Sequence, residues 1–462
     1  MEGTTSVKIV LLDPTSNFVV FQSSKETKAG VQLLDSKKDE QNVKKIFDTI
    51  EALMLQFPYE KLAHVGFIGV SGQMHGVVLW KAQEAWKWSE EGAVSLDEAA
   101  LTNLVTWQDS RCTPEFLSTL PLPDSHLGVH TGFGIPTVFW LQRNDPRSIE
   151  GFDSSGTIHD LLVTILINNL GKPCISPQNA ASWGYFDTSH GSWNLENLKQ
   201  ADFPIELLPV IKPAGAIAGS LYADWNGIPK GCKIGVALGD LQASIYSTLF
   251  DKPGNNAAVI NISTSLQIAF VMPSGFQPPK NKDKAIKTGG VEYFPYFNNT
   301  YLAVAAALTG GNCLASFVTM LHNFIQELGL EINPDKIWES ILSSGALLES
   351  TDLQIQPTFQ GERSDPQKRA SVSNIHPGNL KVSHFTRALC RGVISNAEEL
   401  MPQDFLLQHG IQIIYGTGSA LQKNPIFQQE LERIFNNLQI SISQGGDSAL
   451  GAAAYGKVLL GL

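Results

Sequence analysis

The sequence predicts an α/β fold, and two observations carry that prediction. Near the start of the chain, apolar and β-branched strands alternate with an amphipathic helix, the order typical of α/β proteins. In the second half, a strand–turn–strand unit repeats the pattern of the opening residues. Each unit would open one α/β domain, so two such domains are expected.

The first domain begins with two predicted strands and a helix. Residues 7–13 (VKIVLLD) and 17–24 (NFVVFQSS) are apolar runs joined by a turn that contains Pro14. Residues 41–57 place apolar side chains at helical spacing, which predicts a helix. Residues 64–70 (HVGFIGV) are then predicted to form a buried strand.

The second domain repeats the opening. Residues 257–262 (AAVINI) and 266–272 (LQIAFVM) are predicted strands, and 263–265 (STS) is a hydroxyl-rich turn between them. The same kind of turn, GTTS, precedes the first strand of the chain. True duplication and chance recurrence account equally well for this likeness. Proline, glycine and asparagine cluster around the boundary, which divides the chain into domains 1–252 and 253–462.

Composition and charge narrow the class of protein. Hydrophobic residues make up 43% of the chain and charged residues 17%, as expected of a folded globular protein. The formal net charge of −11 argues against nucleic-acid binding. A protein this acidic must bind an anionic ligand with local backbone N–H groups, hydroxyls or a metal ion.

Cysteine usage and the absence of long apolar runs indicate a cytoplasmic protein. The five cysteines are scattered without a CxxC pair, which fits reduced thiols. No secretory signal and no apolar run long enough to span a membrane is visible. Nothing in the sequence indicates an oligomeric state.

Asp240 is the sharpest single candidate for chemistry. An apolar strand ends at Leu238, Gly239 allows a tight turn, and a helix is predicted from Leu241. Active-site groups of open α/β folds collect at the carboxyl ends of strands. Asp240 is therefore either a general base or, as composition alone favours, the N-cap of that helix.

Two polar segments are candidates for binding a polyhydroxylated ligand. Gln73 and His75 follow a predicted strand and lie between two glycines, and a satisfied loop histidine is an equally good interpretation. Trp107, Asp109 and Arg111 combine an aromatic face with a carboxylate, which is common in sugar sites. The alternative for Asp109 and Arg111 is a surface ion pair.

Three glycine turns precede predicted helices, around Gly310, Gly416 and residues 443–456. Gly416 and Gly418 would let the backbone approach a ligand closely. The turn is not a Rossmann fingerprint, because Leu421 stands where the third glycine belongs, and the chain has no Walker A loop. Together with the hydroxyl-rich turns, these features indicate an enzyme that holds phosphates without a P-loop.

The order of these motifs resembles that of the FGGY family of carbohydrate kinases. The motifs GTTSVK, GVSGQMHG, TWQDSRC, ALGDLQAS, NISTSLQ, GTGSALQKNP and GGDSALGAAAYG cover essentially the whole chain. The resemblance implies two actin-like (ribonuclease H-like) domains with a cleft between them. It also implies ATP-dependent phosphorylation of a terminal hydroxyl of a ketose, with Mg²⁺. The expected ketose is sedoheptulose.

The resemblance also assigns roles to residues of this sequence. Asp240 matches the position of the family's catalytic base. The residues that match sugar-binding and ATP-binding positions form two larger sets. The sugar side comprises Gln73, Met74, His75, Asp109, Arg111 and Gln242. The ATP side comprises Gly3, Thr4, Thr5, Ser6, Ser263, Thr264, Ser265, Gly310, Gly311, Gly416, Gly418, Ser419, Ala420 and Asn424. No metal ligand can be assigned.

The first residues depart from the family pattern, which has an apolar strand ending in Asp-x before the Gly-Thr-Thr-Ser turn. Gly3 matches the glycine, so Met1 stands at the position of the aspartate. We expect weaker handling of Mg·ATP and backbone groups left unpaired, at about 1–3 kcal/mol each if buried. An incomplete or alternatively started chain explains this better than an evolved rearrangement.

Three other functions remain open at this stage. The first is a xylulose, ribulose or glycerol kinase of the same family. The second is a non-catalytic sugar- or nucleotide-binding relative, and the third is an actin-like ATPase of the chaperone type. The sugar and ATP are the expected partners in the leading hypothesis.

Overall fold

The computed structural model describes residues 5–252, 256–279, 290–362, 367–443 and 445–461. In the first half, helices and strands alternate, with many strands of only two or three residues. The helices are α1 (Val43–Met54), α2 (Tyr59–Leu62), α3 (Pro114–Leu117), α4 (Gly134–Asn144), α5 (Ile158–Leu166), α6 (Pro177–Trp183), α7 (Leu195–Gln200) and α8 (Asp240–Leu249). The strands are β1 (Ser6–Leu12), β2 (Val19–Glu26), β3 (Glu40–Gln41), β4 (Phe67–Ile68), β5 (Ser71–Gly72), β6 (Val78–Trp80), β7 (Trp86–Trp88), β8 (Val94–Leu96), β9 (Leu104–Val105), β10 (Ser154–Gly156), β11 (Cys174–Ile175), β12 (Phe186–Asp187), β13 (Ser192–Trp193), β14 (Val210–Ile211), β15 (Ile217–Ser220), β16 (Lys233–Gly235) and β17 (Leu238–Gly239).

The second half contains longer strands and longer helices. Its strands are β18 (Ala257–Ile262), β19 (Leu266–Val271), β20 (Glu292–Pro295), β21 (Tyr301–Ala307), β22 (Gln354–Gln356), β23 (Ser371–Ser373), β24 (Ile413–Thr417) and β25 (Gln439–Ile442). Its helices are α9 (Gly311–Glu327), α10 (Pro334–Leu347), α11 (Val382–Leu400), α12 (Gln403–Gln408), α13 (Ser419–Lys423), α14 (Pro425–Ile434) and α15 (Ser448–Leu460).

A six-stranded sheet organises the second half, in the order β20-β21-β19-β18-β24-β25. β18 pairs antiparallel with β19 and parallel with β24. Alternate side chains of β18, such as Ile260 and Val259, are buried on opposite faces of the sheet. A strand covered on both faces needs a continuous apolar run, which explains the AAVINI sequence. The predicted strand, turn and returning strand around residues 263–265 are confirmed.

Helix α8 connects the two halves physically. Its residues Leu241, Ile245 and Leu249 recur every four positions and pack against Val259 and neighbouring side chains of the six-stranded sheet. Its other side contacts α15, which itself packs against β1, β4 and β5 of the first half. Since α8 also contacts β5 and β17 of the first half, it is enclosed by elements from both halves of the chain.

The strands of the first half pair in several separate sheets of two or three strands. In the described part of the chain, β1 pairs with β2 alone, and β4 pairs with β16 in a separate sheet. A cavity of about 480 Å³ is lined by β1, β4 and α15, and its lining is mainly apolar. It includes none of the candidate site residues that the structure describes.

Two further findings concern the cysteines and the membrane. All five cysteines are buried free thiols. Within the described ranges, no helix combines the length and hydropathy needed to cross a membrane.

Candidate active site

Two short parallel strands bring the sharpest candidate residues to one edge of the first half. β5 and β17 pair with Ser71 opposite Leu238 and Gly72 opposite Gly239. The carboxyl ends of parallel strands meet at the same edge. The polar segment Gln73–His75 and the carboxylate of Asp240 therefore leave the sheet side by side.

Asp240 is the first residue of α8, and Gly239 occupies the N-cap position. The N-cap interpretation of Asp240 is therefore wrong, and within the described residues its Oδ1 accepts a hydrogen bond only from the adjacent N–H of Leu241, at 2.8 Å. Burial raises the pKa of Asp240 to about 6. The arrangement provides a carboxylate that is basic enough to accept a proton near neutral pH.

The loop after β5 is held in an uncommon backbone conformation. Gln73 and Met74 are buried, and His75 has a φ of 73°, in the left-handed region that few side chains adopt. The Nδ1–H of His75 donates to the carbonyl oxygen of Ser182 at 2.7 Å, and its ring stacks on Phe133 with centroids 4.6 Å apart. Helix α6 thus fixes the orientation of this histidine.

Two glutamine side chains and one methionine side chain contact Gly239. Its N–H donates to Oε1 of Gln178 at 3.1 Å. A Cβ placed on Gly239 would lie 2.3 Å from Oε1 of Gln242 and 2.4 Å from Sδ of Met74. Only glycine leaves room for these two side chains beside the carboxylate-bearing residue. The sequence patterns assigned no role to Gln178.

Asp109 and Arg111 form a buried ion pair. Nε of Arg111 lies 2.8 Å from Oδ1 of Asp109, and its Nη2 lies 2.8 Å from Oδ2. The same Nη2 contacts Glu40 at 2.7 Å, and Oδ2 of Asp109 accepts from the N–H of Asp39. Both groups are nine-tenths or more buried, so the pair is not at the surface. In this structure the pair fixes the Asp39–Glu40 segment, and a contact with sugar stays a prediction.

The second hydroxyl-rich turn is joined to the start of α9. The N–H of Gly311 donates to the carbonyl oxygen of Ser263 at 2.7 Å, and that of Asn312 donates to the carbonyl oxygen of Thr264 at 3.1 Å. A Cβ on Gly310 would lie 2.5 Å from the carbonyl carbon of Ser265. The structure thus brings Ser263–Ser265 together with Gly310 and Gly311.

The GTGSALQKNP segment lies beside this turn. Gly418 has a φ of 94°, and a Cβ there would lie 2.4 Å from the carbonyl oxygen of Ile262. Ala420 contacts the position of Gly311, since a Cβ on Gly311 would lie 2.9 Å from that of Ala420. A side chain on Gly416 would meet Leu421 at 2.6 Å. Because these glycines lack side chains, neighbouring protein atoms pack closely against the turn.

The other residues predicted to bind the nucleotide are Ser419 and Asn424 in the second half and Gly3 to Ser6 at the start of the chain. Ser419 starts α13, and Asn424 caps α14 by accepting from the N–H of Ile426 at 2.9 Å. Gly3 and Thr4 lie outside the described residues. Thr5 accepts a hydrogen bond from the N–H of Thr27 at 2.9 Å, and Ser6 begins β1.

The described residues contain no group of three or more His, Cys, Asp or Glu side chains placed to hold a metal ion. Mg²⁺ in nucleotide sites is commonly held by one or two carboxylates and the substrate phosphates. The single carboxylate of Asp240 fits that mode of binding. It does not fit a metal held by protein side chains alone.

Comparison with known proteins identifies the class to which this site belongs. The sequence pattern of the FGGY family of carbohydrate kinases, N-terminal domain, matches residues 2–246. The chain belongs to the FGGY family of carbohydrate kinases, whose members use ATP.

A particular relative is similar over nearly the whole chain. The sedoheptulokinase of Homo sapiens is 45% identical over 461 residues, which cover 98% of this chain and 95% of the relative. The chain is a sugar kinase with the two-domain actin-like fold of that family.

Solved structures agree on the fold. The xylulose kinase from Rhodospirillum rubrum gives a TM-score of 0.75 at 17% identity, over 98% of this chain and 88% of that one. The glycerol kinase of Plasmodium falciparum with ADP gives 0.74 at 18% identity, over 99% and 88%.

Proposed function

We propose that this chain transfers the γ-phosphoryl group of ATP to the terminal hydroxyl of sedoheptulose and forms sedoheptulose 7-phosphate. The observation that carries the proposal is the position of Asp240, whose carboxylate stands next to the Gln73–His75 loop in a chain 45% identical to a sedoheptulokinase. The product would enter the pentose phosphate pathway. The cytoplasm is the proposed compartment, since all five cysteines are separate thiols.

Asp240 would act as the general base. It accepts the proton of the terminal sugar hydroxyl while that oxygen bonds to the γ-phosphorus, and ADP leaves with the electrons of the broken P–O bond. Gln73, Met74, His75 and Gln242 would hold the sugar at this point. Asp109 and Arg111 would support the neighbouring wall. Phosphoryl transfer asks a protein mainly for such positioning and for neutralisation of charge.

The nucleotide would lie along the second half. Backbone N–H groups and hydroxyls of Thr5–Ser6 and Ser263–Ser265 would receive its phosphates, and Gly310–Gly311, Gly416, Gly418–Ala420 and Asn424 would form the walls of its site. The substrate phosphates, beside Asp240, would hold Mg²⁺, which would supply positive charge there. An acidic protein needs that added positive charge.

The test is a panel of acceptors in an assay of ADP release. Sedoheptulose is expected to give the highest kcat/KM, above xylulose, ribulose and glycerol. The reaction without acceptor gives the background rate of ATP hydrolysis. A higher kcat/KM for one of the other acceptors would reassign the substrate within the family. ATP hydrolysis that no acceptor changes would instead favour an actin-like ATPase, and binding without turnover would favour a non-catalytic relative.

The raised pKa of Asp240 predicts an acid limit to activity. Above a pH of about 6 the carboxylate is ionised and can accept the proton, whereas below that pH it is protonated and cannot. We expect kcat/KM for the sugar to fall about tenfold per pH unit below that point. A pH profile with thermal melting at each pH separates this loss from unfolding. Undiminished kcat/KM two units below the pKa would contradict the assignment.

A further inference from the structure

Helix α6 places an amide side chain at the reactive residue. Gln178 has no exposed surface, and its Oε1 accepts the N–H of Gly239, immediately before Asp240. Its Nε2 is buried and has no hydrogen-bond partner among the described residues. An unpaired buried donor costs about 1–3 kcal/mol, so a partner supplied by the ligand would account for this group.

Gln242 has the complementary arrangement. Its Nε2 donates to the carbonyl oxygen of Pro295 at 3.2 Å, and its Oε1 is buried without a partner in the described residues. The existing hydrogen bonds fix which way each amide faces, because a backbone N–H needs an acceptor and a carbonyl needs a donor. The free atom of Gln178 is therefore a donor, and that of Gln242 is an acceptor.

Both free atoms belong to side chains that contact Gly239. Gln178 accepts a hydrogen bond from its N–H, and Oε1 of Gln242 lies 2.3 Å from the position that a Cβ on Gly239 would take. A sugar hydroxyl both donates and accepts, so a donor and an acceptor on two side chains that contact the same glycine match it. Met74, which contacts Gly239 from the side of the Gln73–His75 loop, supplies an apolar neighbour.

We propose that Gln178 is a sugar-binding residue, whose Nε2 donates to a hydroxyl of the ketose while Gln242 accepts from the sugar. This inference rests on the proposed kinase function. A site built to hydrogen-bond a hydroxyl discriminates against analogues that lack it, because its buried polar groups are then left unpaired. Gln178 would in this way select among acceptors.

The test compares wild-type enzyme and Gln178→Met with the ketose and with each monodeoxy analogue that keeps the terminal hydroxyl. With wild-type enzyme, one analogue is expected to lose about 10- to 100-fold in kcat/KM, the effect of one unpaired buried donor. Gln178→Met is expected to lose a similar factor with the intact ketose, mainly through KM, and little more with that analogue.

Two further variants make the result decisive. Gln178→Glu keeps an acceptor for Gly239 but removes the donor, and it is expected to lose discrimination against the same analogue. Gln142→Met on α4, where the amide donates to Asp202 outside the site, is expected to behave as wild type. Thermal melting checks the fold of each variant.

The outcomes separate the two proposals. If the Gln178 variants lose as much kcat/KM with each analogue, relative to the intact ketose, as the wild type does, then Gln178 supports Gly239 and does not bind sugar. The same conclusion follows if the variants lower kcat and leave KM unchanged. If wild-type enzyme turns over no sugar, the proposed kinase function itself falls, and this inference falls with it.

Discussion

Replacing Asp240 with alanine is expected to lower kcat by about 10²–10⁴, the usual contribution of a positioned general base. The carboxylate stands at the start of α8, beside the Gln73–His75 loop, and among the residues that the structure describes it accepts a hydrogen bond only from its own neighbour Leu241. We therefore expect the fold to survive the substitution. Steady-state assay of ADP release measures kcat, and calorimetry should show that ATP still binds.

Asp251→Ala is the matched control for this substitution. Asp251 follows α8, is nearly half exposed and, within the described part of the chain, pairs only with Lys252 next to it. Its loss should leave kcat and thermal stability near the wild-type values. An Asp240→Ala enzyme that kept more than about a tenth of wild-type kcat could not be reconciled with a base at this position.

Gly451→Val should cause the largest loss of stability. A Cβ at Gly451 would lie 1.8 Å from the carbonyl oxygen of Ala243 in α8, and backbone atoms cannot rotate away as a side chain does. We expect the free energy of unfolding to fall by about 3 kcal/mol, the upper end of the range for overpacking. Because α8 carries Asp240, kcat should fall as well. Urea denaturation followed by tryptophan fluorescence measures the stability.

Gly30→Val is the control for replacing a glycine with valine where no other atom is close. No atom lies within 4 Å of a Cβ at Gly30, and its backbone lies outside the left-handed region. This variant should unfold at nearly the wild-type urea concentration. Equal stability of the two variants would mean that the contact between α15 and α8 is not tight in solution.

The sequence predicted the local elements well where one pattern dominates. β18 coincides with the apolar run 257–262, and α8 follows a short strand as predicted, although it begins at Asp240, one residue before the predicted start at Leu241. The segment 64–70 was predicted as one strand, but the structure has β4 at Phe67–Ile68, with β5 starting only at Ser71. A Cβ on Gly69 would lie 2.2 Å from the carbonyl oxygen of Ala452, so packing against the distant α15 sets the local backbone here.

Other features depend on contacts that no local pattern contains. The pairing of β5 with β17 joins residues far apart in sequence, and this pairing brings Gln73–His75 to Asp240. Gln178 lies in a helix of small and polar residues, where its spacing resembles that of an ordinary core position. The predicted helix after Gly418 is two helices, because Asn424 caps a new one that begins at Pro425. Pro425 was a local signal for that break.

The enclosure of α8 between the six-stranded sheet and α15 has a mechanical consequence. If the two halves rotate relative to one another, we expect a helix packed against both of them to be displaced less than either half, because each side restrains it. Asp240, at the start of that helix, would then lie close to the axis of such a rotation. Residues far from the axis, such as those of the Ser263–Ser265 turn, would travel further. The proton acceptor would keep its place while the walls around it open and close.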